Sequence, residues 1–163
     1  PVTINVGQGM PAWSDIYSFD FDAPEDLAGL KRSQAALEQL IAREESRGIP
    51  SNRIVLAGFS QGGAVAVYTA TRFARPLAGA MLLSTWLPQA RSLSAESSPA
   101  NRGAPIFIAH GLQDDMVPIA YALASRDALR LGGYDIEWHE YDIAHAVSAD
   151  EIDDIGDWLR RIL

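Results

Sequence analysis

The pentapeptide GFSQG at positions 58–62 is the stretch of this sequence with the clearest potential for chemistry. A short apolar run at 54–57 precedes it, and an apolar stretch rich in glycine and alanine follows it. This order fits the G-x-S-x-G nucleophile elbow, in which a serine lies on a strained turn between a strand and a helix. The flanking glycines allow the backbone to turn there without a Cβ clash. We therefore predict that Ser60 is a nucleophile.

A serine hydroxyl becomes nucleophilic when a base removes its proton, and the chain offers three histidines for that role. His139 lies in the middle of a predicted strand, where an exposed imidazole at a sheet edge is the simpler interpretation. His110 lies at a strand end just before an acidic pair, and we predict a structural hydrogen bond to loop backbone. His145 lies in a loop between a strand and a helix, flanked by alanines. We predict that His145 is the general base.

A carboxylate must orient that imidazole, and Asp114 or Asp115 lies between Ser60 and His145 in the chain. The order serine, acid, histidine is that of α/β-hydrolases. All three positions follow the carboxyl ends of predicted strands, where open parallel sheets bind ligands. Spacing alone does not separate Asp114 from Asp115.

Alternating strand and helix patterns must position these residues. The predicted elements are a helix over 24–47 with Asp22 as its cap, strands over 54–57, 77–83 and 105–109, helices over 61–74 and 118–131, a strand over 136–141 and a helix over 149–162. The last strand mixes polar and apolar residues, which predicts a position near the sheet edge with one face covered. The alternation indicates an α/β fold with a mostly parallel sheet flanked by helices.

Residues 1–22 have few periodic apolar positions, and we predict a long surface segment. We expect its apolar residues Met10, Trp13 and Ile16 to pack against the body of the protein and hold the segment there. Such contacts are usually packing and sometimes form the wall of a pocket.

Composition excludes several classes of function. A chain of 163 residues with 48 % apolar and 21 % charged residues is typical of one globular domain, spanning 1–163. The net charge of −8 argues against nucleic-acid binding. With no cysteine, disulfides and thiolate metal sites are excluded. No apolar run reaches a membrane-spanning length, and no secretory signal pattern is present. We expect a cytoplasmic protein without metal or cofactor.

Several segments resemble the carboxylesterase and acyl-protein thioesterase family of α/β-hydrolases. They are GFSQGGA at 58–64, LSTWLP at 83–88, HGLQDD at 110–115, residues 141–145, and two N-terminal stretches at 1–5 and 10–16. The resemblance implies an α/β-hydrolase fold and cleavage of carboxylic esters or thioesters through an acyl-serine intermediate. It implies Ser60 as nucleophile, Asp114 as the orienting acid and His145 as base.

The same resemblance extends to substrate binding. It implies that the backbone N–H of Gln61 is an oxyanion donor. It suggests that an apolar acyl site is lined by Phe59, Trp86, Leu87 and Val117, although core packing explains each of these four side chains at least as well.

The sequence departs from the family pattern at its start. The family carries further strands and a His-Gly-type loop before the segment that matches Pro1, and that loop supplies a second oxyanion donor. The only His-Gly pair here is at 110–111, beside the acid. We expect an N-terminally incomplete fold whose nucleophile strand has an exposed apolar edge. Loss of one oxyanion donor typically costs about 2.7–4 kcal/mol of transition-state stabilisation.

Three explanations of that departure stay open. The chain is part of a longer enzyme, which we favour; a second polypeptide supplies the missing strands; or the fragment folds alone and catalyses weakly or not at all. The alternative function is a catalytically impaired binding or interaction module. Such a module would pair its open sheet edge with a partner, for example in a homodimer.

Overall fold

A computed structural model describes residue 3, residues 11–18 and residues 23–163. Within these ranges the chain forms one four-stranded sheet in the order β1-β2-β3-β4. The strands are β1 (Val55–Phe59), β2 (Gly79–Leu83), β3 (Pro105–Gly111) and β4 (Asp135–Tyr141). All neighbouring strands pair in parallel. The predicted α/β fold with a parallel sheet is confirmed.

Five α-helices connect and cover the strands in the described part of the chain. They are α1 (Leu27–Ser46), α2 (Gln61–Arg72), α3 (Leu93–Glu96), α4 (Ile119–Leu131) and α5 (Ala149–Ile162). Short 3₁₀ turns lie at Ser51–Arg53, Ala90–Ser92 and Pro99–Asn101. None of the described helices is long and apolar enough to cross a membrane.

The start of α1 differs from the prediction. The helix begins at Leu27 rather than near residue 24, and its N-cap is Asp26, whose carboxylate accepts a hydrogen bond from the Gly29 N–H at 2.8 Å. An aspartate in this position satisfies an N–H that has no partner within the helix. The predicted cap, Asp22, lies outside the described residues.

Side-chain alternation along the buried strands builds two hydrophobic layers. On β3, Ile106 and Ile108 join a core with residues of α2 and α4, whereas Phe107 and Ala109 join a second core with Trp158 of α5. A third cluster attaches α1 to α2. The sheet is therefore held between helices, and its central strands are buried on both faces, as their continuous apolar sequences predict.

Strand β4 is covered more completely than predicted. It lies at the edge of the described sheet, as expected, but the expectation of one covered face is wrong. Ile136 and Trp138 pack against the α2 and α4 side, whereas Tyr141 packs in the α5 layer. His139 stacks on Phe107 with ring centroids 4.7 Å apart. The Glu137 and His139 side chains thus lie on the α5 side of the sheet, where they contact Arg161 and Asp154 respectively, instead of facing only solvent.

A capping box fixes the start of α5. The Ser148 side chain accepts a hydrogen bond from the Glu151 N–H at 3.1 Å, and the Glu151 carboxylate accepts one from the Ser148 backbone. This reciprocal pair satisfies two N–H groups at the helix start. Burial raises the pKa of the Glu151 carboxyl, because it disfavours the charged form more than the Ser148 hydrogen bond favours it. The box anchors the end of the loop that contains His145.

Candidate active site

Ser60 occupies a strained turn between β1 and α2. Its φ of 53° and ψ of −126° lie where residues other than glycine are uncommon. The end of β2 and the residues after it hold this turn through two hydrogen bonds. The Ser60 N–H donates to the Leu83 carbonyl at 2.8 Å, and the Thr85 hydroxyl donates to the Ser60 carbonyl at 2.6 Å. The predicted strand, sharp turn and helix around Ser60 are present.

Two glycines make this turn possible. A Cβ atom at Gly58 would lie 2.2 Å from the carbonyl carbon of Gly62, and one at Gly63 would lie 2.7 Å from the Thr85 methyl group. A Cβ atom at Gly62 would meet only the Trp13 indole, at 3.8 Å. The close approach of helix to strand therefore depends on Gly58 and Gly63, whereas Gly62 has room for a methyl group.

The alanine variants of Gly58 and Gly62 test this difference. The Cβ atom of Gly58→Ala would push the backbone of β1 away from that of α2. We therefore expect a loss of about 3 kcal/mol or more in the free energy of unfolding. For a chain of this size that corresponds to a fall of roughly 6–12 °C in Tm, measured by circular dichroism. Gly62→Ala should leave Tm unchanged or raise it, because alanine favours the helix more than glycine does. Equal Tm values for the two variants would contradict this account of the turn.

Asp114 and His145 meet at the carboxyl edge of the sheet. The Asp114 Oδ2 atom lies 2.7 Å from His145 Nδ1. The other carboxylate oxygen, Oδ1, accepts hydrogen bonds from the backbone N–H groups of Met116 at 2.9 Å and Val117 at 2.8 Å. The Asp114 side chain has no exposed surface, whereas Asp115 is exposed. The folded structure thus distinguishes Asp114 from Asp115, which their positions in the sequence did not.

The environment of Asp114 keeps its carboxyl ionised. Burial acts to raise its pKa, but hydrogen bonds from the Val117 N–H and from His145, together with the other interactions of the loop, hold the pKa below its ordinary value. An ionised carboxylate only accepts hydrogen bonds, so His145 Nδ1 carries the proton. In the neutral imidazole with this tautomer, the Nε2 atom has a lone pair.

His110 supports the loop that carries the acid. Its Nε2 lies 2.8 Å from the Val117 carbonyl, as the predicted hydrogen bond to loop backbone requires. The same atom is 3.5 Å from Asp114 Oδ2. Burial lowers the pKa of the imidazole, so His110 is neutral at neutral pH. His110 therefore packs behind the acid as a structural group.

The other two histidines have different surroundings. His145 packs on the ring of Phe59, the residue before Ser60, with ring centroids 4.6 Å apart. His139 lies beneath α5, where its Nε2 is 3.0 Å from Glu137. The prediction of an exposed imidazole is wrong, because Phe107 and α5 cover most of the His139 side chain and leave it only 25 % exposed. His145 is the histidine beside the turn that holds Ser60.

A cavity of about 380 Å³ lies beside α2, where Ala64 lines it, and neither Ser60 nor His145 is among its lining residues. Its lining comprises residues 14–18, 23–26 and 86–91 together with Leu30, Ala64, Met116, Val117 and Tyr121. Among the predicted acyl-site residues, Trp86, Leu87 and Val117 line this cavity, and Leu87 also belongs to the core. Phe59 does not line it and instead contacts His145.

Residues 14–18 form part of the cavity wall, which is the less usual of the two roles expected for contacts of this segment. Trp13 and Ile16 were expected to pin the segment by packing, yet Trp13 is 44 % exposed and Ile16 lines the cavity. Hydrogen bonds from the segment's backbone hold it in place instead. Hydrogen bonds of this kind produce no periodic pattern in the sequence from which they could be predicted. The expected contact of Met10 lies outside the described residues.

No group of three or more potential ligand side chains that could hold a metal ion occurs in the ranges that the structure describes. The chemistry available here is that of a hydroxyl, an imidazole and a carboxylate near a cavity with a mostly apolar lining. The chain order of this set, serine, then acid, then histidine, is the order that α/β-hydrolases use for nucleophilic acyl transfer.

Comparison with known proteins identifies the family. The model of the phospholipase/carboxylesterase family matches residues 1–163. The chain belongs to that family. Among its relatives, acyl-protein thioesterase 1 of Yarrowia lipolytica is 36 % identical over 99 % of this chain and 73 % of its own length. The Neurospora crassa protein of the same name is 38 % identical, over 100 % of this chain and 70 % of its own length.

Solved structures agree with the assignment to the phospholipase/carboxylesterase family. Arabidopsis thaliana SOBER1 superposes with a TM-score of 0.93 at 27 % identity, covering 99 % of this chain and 78 % of that one. Zea mays acyl-protein thioesterase 2 gives a TM-score of 0.88 at 31 % identity, covering 99 % of this chain and 76 % of that one. The fold is that of the α/β-hydrolases. Membership of this family makes the protein an enzyme of the carboxylesterase and thioesterase class, which supports hydrolysis of esters or thioesters.

Proposed function

We propose that this phospholipase/carboxylesterase family member cleaves carboxylic esters or thioesters through an acyl-serine intermediate formed on Ser60. His145 is the general base and Asp114 is its orienting acid. The observation that carries the proposal is the 2.7 Å contact between Asp114 Oδ2 and His145 Nδ1, made beside the strained turn of Ser60.

The proposed reaction follows from the tautomer of His145. Asp114 holds the proton on Nδ1, so Nε2 accepts the proton of the Ser60 hydroxyl as that oxygen attacks the carbonyl carbon of the substrate. The imidazolium then returns the proton to the leaving alkoxide or thiolate. Water enters as the second nucleophile, gives its proton to Nε2, and attacks the acyl-serine. The acid is released and the Ser60 hydroxyl is restored.

The start of α2 favours the negative charge that develops on the carbonyl oxygen. Gln61 is the first residue of this helix, and the first four N–H groups of a helix lack intrahelical partners. The helix dipole adds a partial positive charge at the same end. The Gln61 backbone N–H is therefore proposed as an oxyanion donor.

The cavity supports an acyl chain as the group recognised. Its volume of about 380 Å³ is within the usual range for small-molecule sites, and Trp86, Leu87 and Val117 are among the apolar residues that make up most of its lining. The relatives named acyl-protein thioesterase 1 are consistent with a substrate of this class. We propose small acyl esters or thioesters as substrates and the four residues Phe59, Trp86, Leu87 and Val117 as their surroundings.

Covalent labelling tests the nucleophile. A serine-directed fluorophosphonate should label the wild-type protein, and Ser60→Ala should abolish labelling along with hydrolysis of p-nitrophenyl butyrate. Ser94→Ala changes an exposed serine on α3 and should retain both. Labelling is read by intact-mass spectrometry.

Retained labelling of Ser60→Ala would refute the assignment of the nucleophile. Absence of both labelling and turnover in the wild-type protein would favour the alternative, a catalytically impaired binding module.

A further inference from the structure

Residues 11–18, here called the wall segment, reach the cavity from outside the sheet and are held by α1 on one side. The Asp26 carboxylate accepts a hydrogen bond from the Asp15 N–H at 3.0 Å, and the Ser33 hydroxyl donates to the Trp13 carbonyl. A Cβ atom on Gly29 would lie 3.0 Å from the Ser14 Cα atom, so the segment runs close against the first turn of α1.

A single side chain ties the wall segment to α2. The Gln61 Oε1 atom accepts a hydrogen bond from the Trp13 N–H at 3.0 Å. Its Nε2 atom donates to the Ser14 carbonyl at 2.8 Å and lies 3.2 Å from the Ser14 hydroxyl. These contacts join two parts of the chain more than forty positions apart.

Gln61 thus occupies a junction between the reacting centre and the cavity. It follows Ser60 directly, and its amide side chain holds Ser14, where the cavity wall of residues 14–18 begins. Ala64, one turn further along α2, lines the same cavity. Release of the Gln61 contact would free the wall from α2 while α1 still held its other side.

We infer that the side chain of Gln61 is a positioning residue that fixes the wall segment against the start of α2 and thereby sets the preference of the enzyme for longer acyl chains. This inference rests on the proposed function of the site. It concerns the side chain alone, and any alanine variant keeps the backbone N–H that we propose as the oxyanion donor.

The chemistry of the contact requires an amide. One end of the side chain must accept from the Trp13 N–H and the other must donate to the Ser14 carbonyl. Gln61→Glu keeps the size and the acceptor but turns a carboxylate oxygen towards the Ser14 carbonyl, where two acceptors repel. Gln61→Ala removes both bonds. The two variants separate loss of the contact from loss of bulk.

The test compares p-nitrophenyl acetate with p-nitrophenyl octanoate for wild type, Gln61→Ala, Gln61→Glu and the control Gln39→Ala, an exposed glutamine of α1. Each methylene that loses its apolar contact changes binding by about fourfold. We expect both Gln61 variants to lower the octanoate-to-acetate ratio of kcat/KM by about tenfold, with the additional loss on octanoate appearing in KM. Gln39→Ala should leave the ratio unchanged.

Hydrogen exchange of the peptide that covers residues 11–18 gives a readout independent of turnover. Exchange should be faster in both Gln61 variants and unchanged in Gln39→Ala. Unchanged exchange in Gln61→Ala, or an equal loss of activity on both esters, would overturn the inference. If wild type hydrolyses neither ester and resists the fluorophosphonate, the proposed function fails, and exchange alone then supports or overturns the contact.

Discussion

Replacing His145 with alanine should lower kcat for p-nitrophenyl butyrate by about 10⁶-fold, the order found when the base of a serine triad is removed. The variant leaves Ser60 without a group to take its proton, so attack on the carbonyl becomes as slow as that of an ordinary hydroxyl. KM should change little, because His145 does not line the described cavity. Steady-state kinetics with active-site titration measures both quantities.

His139→Ala is the matched control for this prediction. His139 contacts Glu137 and stacks on Phe107 beneath α5, away from the turn of Ser60. Its loss should lower Tm while leaving kcat within about twofold. A variant of His145 that retains wild-type turnover, or a His139 variant that loses it, would reverse the assignment of the base.

The secondary structure and the turn of Ser60 were predictable because they depend on neighbours in sequence. Continuous apolar runs at 77–83 and 105–109 correspond to the buried strands β2 and β3. Of the two glycines that flank the motif, Gly58 permits the approach of α2 to β1 as predicted, whereas Gly62 has room for a Cβ atom and the second glycine required is Gly63. Such patterns express short-range sterics and burial, so one sequence is enough to interpret them.

Features that depend on contacts between distant segments were not predictable. The amide of Gln61 binds Trp13 and Ser14 across more than forty positions, and a glutamine in sequence carries no sign of its partner. His139 alternates as an exposed strand residue would, yet Phe107 and α5 cover it. Helix α1 begins at Leu27, later than its pattern indicates, because Asp26 is its N-cap and accepts a hydrogen bond from the Gly29 N–H.

The choice between Asp114 and Asp115 also depends on contacts in the folded protein that the sequence does not show. Both follow β3 and both precede His145, so composition and order treat them alike. Backbone N–H groups of Met116 and Val117 turn towards Asp114 and bury its carboxylate, whereas Asp115 remains exposed. Loop geometry therefore decides which acid is available to orient the imidazole.

Asp114→Asn should lower kcat by about 10⁴-fold, and the matched variant Asp115→Asn should change it by less than about twofold. The amide oxygen of the new side chain can still accept from Met116 and Val117 N–H. Its amino group must then face His145 Nδ1 and donate to it, which moves the imidazole proton to Nε2. An Nε2 that carries a proton cannot take one from Ser60, so the geometry survives while the base is lost.

The pH dependence of stability gives a second readout for Asp114. Because its pKa is held below the ordinary value of 3.8, the ionised group stabilises the folded protein at pH values above that, and the contribution is lost as the pH falls through the lowered pKa. The difference in Tm between wild type and Asp114→Asn should therefore be largest near neutral pH and shrink below about pH 4. If Asp115→Asn showed the larger loss of kcat, the orienting acid would be Asp115. The short contact between Asp114 and His145 would then serve only to hold the loop at the edge of the sheet.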